Sequence, residues 1–197
     1  MVTIRMKLKY YTNSQDSGIS LSQWEVRQSR LWKKRVDEIK NSLPIANTTP
    51  YQDRVIKSGV VGAGTYGRVY NDPDQEGFVV KIWSDNVDYL TVVRECNAFQ
   101  RYYKNKHAYV TLEYFGGMLI KPVLHMLRLT GIPLNQLSSE QRPKHSKECW
   151  RQMEQHLRWA NVTHLDMAEQ NILYDPDDST IDPQNGKPTI YKPFDFT

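Results

Sequence analysis

Apolar residues in the first quarter of the chain recur at helical spacing. Six of them lie between residues 22 and 43: Trp24, Leu31, Trp32, Val36, Ile39 and Leu43. This pattern predicts an amphipathic helix, with a capping box formed by Ser22 and Glu25 at its start and Pro44 after its end. Residues 1–19 are polar and are predicted to be loosely ordered. The helix is expected to pack on the domain that follows it, or else to dock a partner.

Shorter apolar runs bounded by turns begin near residue 51. Five of these runs predict β-strands: VIKSGVV, GRVYN, FVVKIW, TLEYFGG and MLIKPVLHMLRL. Residues 88–104 and 145–160 return to helical spacing, and residues 175–190 are a loop rich in Asp and Pro. The order of these elements predicts an α+β fold, in which an antiparallel sheet with one helix precedes a small, mainly helical part.

Composition narrows the class of protein. The chain has 197 residues and a net charge of +4, and residues 1–60 hold eleven Lys or Arg against five Asp or Glu. Such a segment suits an acidic protein, anionic lipid or RNA, but a solvated helix face fits equally well, and no nucleic-acid partner is expected. The most apolar stretch is interrupted by Lys121, His125 and Arg128, so no transmembrane segment is predicted. No apolar core of a secretory signal peptide is visible. The protein is expected to be a monomer.

A glycine-rich motif lies between the first two predicted strands. Gly62, Gly64 and Gly67 fit G-x-G-x-x-G, and Val69 follows at the spacing found in kinases. The glycines also fit a dinucleotide-binding turn, but that turn opens a helix, whereas residues 68–70 have strand character. Two strands joined by such a loop can cover a triphosphate, because glycine lets backbone amides approach phosphate oxygens.

A lysine stands in the middle of an apolar strand. Lys81, within FVVKIW, is costly to bury without a partner. A phosphate together with a carboxylate would offset that cost, and Glu95 on the following predicted helix is the best candidate for the carboxylate. The alternative is an edge lysine that reaches water, but the preceding glycine motif favours a site.

The strongest motif follows the second helical segment. The residues from 164 to 171 read HLDMAEQN and match the H-x-D-x-x-x-x-N catalytic loop of kinases. In that chemistry a carboxylate, here Asp166, orients the attacking hydroxyl, and an amide oxygen, here Asn171, holds magnesium. The alternative is a turn in which Asp and Asn make local hydrogen bonds. Later in the chain, Asp195 begins Asp-Phe-Thr, a variant of the D-F-G magnesium motif that follows a predicted strand.

Taken in order, these motifs resemble those of a protein kinase. The chain looks most similar to the minimal kinases that bacterial type III secretion systems inject, of the OspG and HopBF kinds. The resemblance implies ATP and Mg²⁺ as cofactors and a two-lobe kinase-like fold whose truncated C-lobe lacks an activation segment. The ATP-binding residues that it implies are Gly62, Gly64, Gly67, Val69, Val79, Lys81, Met126, Leu127 and Leu129, with Met126 as the gatekeeper.

The same resemblance assigns the remaining roles and the domain boundaries. The implied catalytic residues are Asp166, Lys81 and Glu95, and the implied metal ligands are Asn171 and Asp195. Residues 1–50 would form a basic N-terminal extension with the helix at 22–43, residues 51–131 the N-lobe and hinge, and residues 132–197 a minimal C-lobe. Leu165 and Ala168 stand where many kinases have Arg and Lys, which leaves the hydroxyl specificity open, with Ser or Thr favoured over Tyr.

The resemblance also implies a biological setting. It implies an effector secreted through a type III system that acts in the host cytoplasm on a folded host protein. The HopBF kind points to a serine of the cytosolic ninety-kilodalton heat-shock chaperone, which the early end after Asp195 favours. The OspG kind points to binding and stimulation by ubiquitin-charged conjugating enzymes.

Three rival functions fit part of the pattern. A pseudokinase would bind Mg-ATP without transferring phosphate. A small-molecule kinase of the aminoglycoside kind shares the Asp-to-Asn loop. A Rossmann oxidoreductase needs a helix at residues 67–80 and gives no role to Asp166, Asn171 or Asp195.

Overall fold

The computed structural model of the chain describes residues 4–6, 11, 18–42, 50–103, 108–116, 119–162, 168–177 and 190–196. These residues belong to two compact units, residues 1–128 and residues 129–197. In the described ranges the first unit holds a six-stranded sheet and three α-helices, and the second holds a three-stranded sheet and one α-helix. The predicted α+β class is therefore confirmed. No helix in these ranges is long and apolar enough to cross a membrane.

The sheet of the first unit is antiparallel throughout. Its strands are β1 (Ile4–Met6), β2 (Val60–Gly64), β3 (Gly67–Asn71), β4 (Phe78–Trp83), β5 (Tyr109–Gly116) and β6 (Leu119–Leu127). They are ordered β1-β5-β6-β4-β3-β2, which leaves β2 at one edge. The last four predicted runs correspond to β3, β4, β5 and β6. The prediction of a loose segment before residue 20 is wrong for residues 4–6, because they pair with β5.

The N-terminal helix α1 spans Leu21–Ser42, close to its predicted bounds. Its cap lies two residues earlier than predicted: the Gln23 backbone N–H donates to Ser20 Oγ at 3.3 Å, and the Ser20 N–H donates to Gln23 Oε1 at 2.8 Å. This reciprocal pair is a capping box. The predicted box of Ser22 and Glu25 is therefore wrong, and the Glu25 side chain is buried in the unit instead.

The apolar stripe of α1 packs on its own unit. Trp24, Trp32, Val36 and Ile39 are buried, whereas Leu31 is 48% exposed and Leu43 lies outside the described residues. The helix packs chiefly against α3 (Tyr89–Tyr102), the helix predicted at residues 88–104. Of the two roles predicted for α1, the structure shows packing on the following domain.

A second helix, α2 (Tyr51–Ser58), replaces the start of the first predicted strand. The run VIKSGVV was predicted as one strand, but its first half ends α2 and only its second half begins β2. Tyr51 and Val55, four residues apart and therefore on one helix face, pack with Val80 of β4 and Val123 of β6. This packing on the sheet explains why a helix forms where a strand was predicted.

The second unit is built on one long helix. This helix, α4 (Arg142–Ala160), begins three residues before the predicted segment and buries Cys149, Met153 and Leu157. The second unit also contains a small antiparallel sheet, whose strands are ordered β7 (Ile132–Pro133), β8 (Ile172–Tyr174) and β9 (Tyr191–Pro193). The unit agrees with the predicted small, mainly helical C-terminal part.

Candidate functional site

The glycine-rich motif forms the β2–β3 hairpin, and its three glycines differ in how much space an added Cβ would have. Gly64 pairs with Gly67 across the turn. A Cβ added at Gly67 would lie 2.3 Å from the Ile82 carbonyl oxygen, so the close approach of β4 requires glycine there. At Gly62 and Gly64 an added Cβ would meet no described atom within 4 Å, and neither residue has a positive φ. Glycine at these two positions leaves the backbone open to a ligand, as a phosphate-covering loop requires.

Lys81 and Glu95 form a buried ion pair. Lys81 Nζ lies 2.5 Å from Glu95 Oε1, and the two residues are only 7% and 2% exposed. A buried charge is stable only when it is paired, so each residue offsets the cost of burying the other. The structure thus brings together the lysine and the carboxylate that the sequence suggested as partners.

Trp83 is a third member of this cluster that sequence reasoning missed. Its indole Nε1–H donates to Glu95 Oε2 at 2.9 Å, so both carboxylate oxygens of Glu95 accept a hydrogen bond. Trp83 lies two residues after Lys81 on β4, and residues two apart on a strand share a face. That spacing, together with the need of a buried indole N–H for an acceptor, was the available signal.

The position of Glu95 along its helix is set by the start of α3. The Asp88 carboxylate caps the helix by accepting from the Thr91 N–H at 2.8 Å. Glu95 follows two turns after this cap, where the same helix face also buries Val92 and Phe99. The local sequence therefore directs the carboxylate toward the sheet.

Apolar residues predicted to contact the nucleotide share the Lys81 face of the sheet. Val69 on β3 lies directly opposite Lys81, and Val79 on β4 lies opposite Met126 on β6. Residues directly opposite in an antiparallel pair project to the same face. Leu127 follows Met126 and alternates to the other face, where it is 38% exposed. A contact between Leu127 and a base would therefore come from its main chain.

In the second unit the two predicted metal ligands are neighbours. The Phe194 N–H, next to Asp195, donates to the Asn171 carbonyl oxygen at 3.1 Å, and Ile172 pairs with Pro193. The strands β8 and β9 thus bring the main chains at Asn171 and Asp195 close together. An amide oxygen and a carboxylate are hard oxygen donors of the kind that Mg²⁺ takes, so the donor set fits that ion. Among the described residues no group of three or more His, Cys, Asp or Glu converges.

The catalytic-loop motif is described only at its end. Asp166 lies outside the described residues, as do residues 163–167. Glu169, just before Asn171, accepts from Ser146 Oγ at 2.5 Å and from Arg142 Nε at 2.6 Å. Hydrogen bonding from Ser146, and then from Arg142, lowers the pKa of Glu169. Two residues of α4 that the sequence did not single out therefore hold the segment that carries Asn171.

A second polar cluster connects Thr130, which follows Leu129, to the strands β8 and β9. Leu129 is half-buried, and the next residue, Thr130, donates its hydroxyl to Asp175 Oδ2. Lys192 of β9 donates to the same Asp175 oxygen at 2.9 Å and to Thr130 Oγ1 at 3.1 Å. These hydrogen bonds, first from Thr130 and then from Lys192, lower the pKa of Asp175. The cluster connects the C-terminal end of β8 to the middle of β9, and Asn171 and Asp195 lie at the opposite end of this strand pair.

A comparison with known protein families matches residues 60–195 to the family described as Protein kinase OspG, kinase domain. The chain belongs to this family. The matched region is 136 of the 197 residues and runs from the glycine-rich hairpin to Asp195. The predicted resemblance to OspG-type kinases is confirmed, whereas the HopBF likeness stays a prediction. The helices α1 and α2 precede the region that matches the OspG family. A comparison with curated proteins gives no match.

Proposed function

We propose that this protein is a protein kinase of the OspG family that uses Mg-ATP to phosphorylate a hydroxyl group of a host protein. The buried Lys81–Glu95 pair carries the proposal, because two ionised groups so far from water are costly unless they serve a further purpose. Phosphate binding is such a purpose, since Lys81 shares its sheet face with apolar residues suited to a base. Family membership supports the same conclusion.

The roles proposed for the first unit follow from its geometry. The open backbone at Gly62 and Gly64 contacts phosphate oxygens, and Gly67 keeps the hairpin against β4. Lys81, held by Glu95, contacts the α- and β-phosphates. Val69, Val79 and Met126 contact the adenine ring with their side chains, and Leu127 does so with its main chain, as does Leu129 of the second unit.

The roles proposed for the second unit follow from the motif. Asn171 and Asp195 hold Mg²⁺, which neutralises charge on the phosphates when it is bound. Asp166 orients the substrate hydroxyl and accepts its proton. The proposed acceptor is Ser or Thr rather than Tyr.

The proposed setting is the cytoplasm of a host cell, reached by type III secretion. Family membership favours a ubiquitin-charged conjugating enzyme as the partner, which would stimulate the kinase. The ninety-kilodalton heat-shock chaperone is the proposed substrate that the HopBF likeness suggests. The two proposals are compatible, since one concerns an activator and the other an acceptor.

The experiment that tests the proposal combines the purified chain with γ-labelled ATP, magnesium and a eukaryotic cytosolic extract. It is run with and without added ubiquitin-charged conjugating enzyme, beside an Asp195→Ala control. A labelled protein band that is absent in the control supports the kinase, and its mass tests the chaperone. A band that grows on adding the charged enzyme supports that partner. ATP binding without transfer under every condition would instead indicate a pseudokinase.

A further inference from the structure

A buried carboxylate on α1 contacts the helix that carries Glu95. Glu25 Oε2 lies 3.3 Å from Arg94 Nε, and Glu25 Oε1 accepts from Asn97 Nδ2 at 3.4 Å. Asn97 is 1% exposed, and its Oδ1 accepts from the Tyr11 backbone N–H at 3.2 Å. The buried Asn97 amide and the buried Glu25 carboxylate hydrogen-bond to each other and form a specific polar contact between α1 and α3.

Glu25 contacts α3 on a different side from the ion pair. Arg94 lies one residue before Glu95, and Asn97 lies two residues after it. At 100° per residue, Arg94 projects about 100° and Asn97 about 160° away from the direction of Glu95. Rotation or translation of α3 would therefore break the contacts of Glu25 on one side and those of Lys81 on the other.

A second cation, Arg101, interacts electrostatically with the same carboxylate. Burial lowers the pKa of Arg101, one turn after Asn97, and the charge of Glu25 acts in the opposite direction. Glu25 thus faces Arg94, Asn97 and Arg101 along one stripe of α3. No other acidic residue in the described part of α1 is buried, since Asp37 and Glu38 are exposed.

We propose that α1 is a built-in positioning element of this kinase, which through Glu25 holds α3 where Glu95 meets Lys81. Glu25, Arg94 and Asn97 are positioning residues, since they act through Glu95 and touch no reacting group. The catalytic consequence rests on the proposed function, but the structural consequence does not. Because α1 lies outside the region that matches the OspG family, the device belongs to this chain's N-terminal extension.

Trp83 provides a reporter that is independent of kinase activity. Its indole N–H donates to Glu95 Oε2, so its NMR signal depends on the position of that carboxylate. The chain has five Trp residues and therefore five indole N–H signals. The variant Trp83→Phe assigns the relevant signal, and Glu95→Gln defines its position when the charged acceptor is lost.

The test compares Glu25→Gln and Arg94→Gln with the control variant Glu38→Gln. Glu38 is an exposed carboxylate on α1, and its Oε2 lies 2.9 Å from Arg35 Nη1. Thermal unfolding first establishes that each variant is folded. We expect Glu25→Gln to move the Trp83 signal toward its Glu95→Gln position and to lower kcat roughly five- to tenfold. Arg94→Gln, at a half-exposed position, should act in the same direction but more weakly. Glu38→Gln should change neither quantity.

Each outcome decides the matter. A Trp83 signal that stays at its wild-type position in both folded variants overturns the proposal, whatever the protein phosphorylates. A shifted signal in a protein whose wild type transfers no phosphate, with or without the charged conjugating enzyme, supports the positioning element and refutes the proposed function. If Glu25→Gln does not fold, Arg94→Gln alone decides by the same criterion.

Discussion

The three glycines of the β2–β3 hairpin are expected to respond differently to the same substitution. Gly67→Ala places a Cβ 2.3 Å from the Ile82 carbonyl oxygen and 2.9 Å from Trp83 Cα. These are main-chain atoms that cannot turn aside, so β3 or β4 must shift. Gly62→Ala and Gly64→Ala place their Cβ in open space. Alanine therefore tests folding at Gly67 and ligand approach at Gly62 and Gly64.

The magnitudes follow from these distances. Overpacking of this kind costs about 3 kcal/mol, which lowers the thermal midpoint by roughly 10 °C for a domain of this size. At Gly62 and Gly64 the change in unfolding free energy should stay within about 0.5 kcal/mol. If a phosphate oxygen accepts from the backbone amide there, losing one charge-assisted hydrogen bond weakens ATP binding by about 1.5–3 kcal/mol, or roughly 10- to 150-fold.

The assay is thermal unfolding without nucleotide, followed by calorimetric titration with Mg-ATP. Gly67→Ala should unfold early, whereas Gly62→Ala and Gly64→Ala should melt with the wild type and bind ATP weakly. Wild-type ATP affinity in both of these variants would refute the ligand-approach interpretation. A wild-type midpoint in Gly67→Ala would refute the steric argument.

Two further predictions concern buried ion pairs. Lys81→Met should abolish phosphate transfer and lower the free energy of unfolding by about 3 kcal/mol, because it leaves the Glu95 carboxylate buried and unbalanced. Adding Glu95→Leu should restore part of the stability in chemical denaturation, but not all of it because the Trp83 indole N–H loses its acceptor, and should not restore activity. In the second unit, hydrogen bonds from Thr130 and then Lys192 lower the pKa of Asp175. Its stabilising contribution is present above the ordinary carboxyl pKa, so it should be lost below about pH 4, and Asp175→Asn should reduce that acid dependence in unfolding curves.

The Lys81 prediction has a control variant, and each of the two predictions has an outcome that would contradict it. Lys57→Met, at an exposed lysine on α2, should leave stability and transfer unchanged. A double variant at Lys81 and Glu95 that stays as unstable as the single one would contradict the charge-burial argument. An unchanged acid profile in Asp175→Asn would show that other carboxyl groups govern unfolding at low pH.

The sequence predicted those elements whose local signals agree with their tertiary environment. The helix α3 was recognised from its apolar spacing, and the strands β3 to β6 were recognised as short apolar runs bounded by turns. Lys81 and Glu95 could be paired in advance because a lysine in an apolar strand requires a carboxylate.

The failures arose where two local patterns competed and only tertiary contacts chose between them. Both Ser20–Gln23 and Ser22–Glu25 fit a capping box, and the contacts of Glu25 with Arg94 and Asn97 exclude the second. The short apolar run at residues 55–61 was predicted as one strand, yet packing of Val55 on the sheet makes its first half helical. The second partner of Glu95, Trp83, was missed because its two-residue spacing from Lys81 indicates a shared strand face but not which acceptor the indole N–H contacts.

Single-turnover transfer of the γ-phosphate from Mg-ATP to protein, compared between the wild type, Asp195→Ala and Asp166→Ala, decides whether these residues carry out catalysis. We expect transfer by the wild type and a loss of several orders of magnitude in each variant, with thermal midpoints little changed. A folded Asp195→Ala or Asp166→Ala protein that transfers phosphate at the wild-type rate would contradict this expectation.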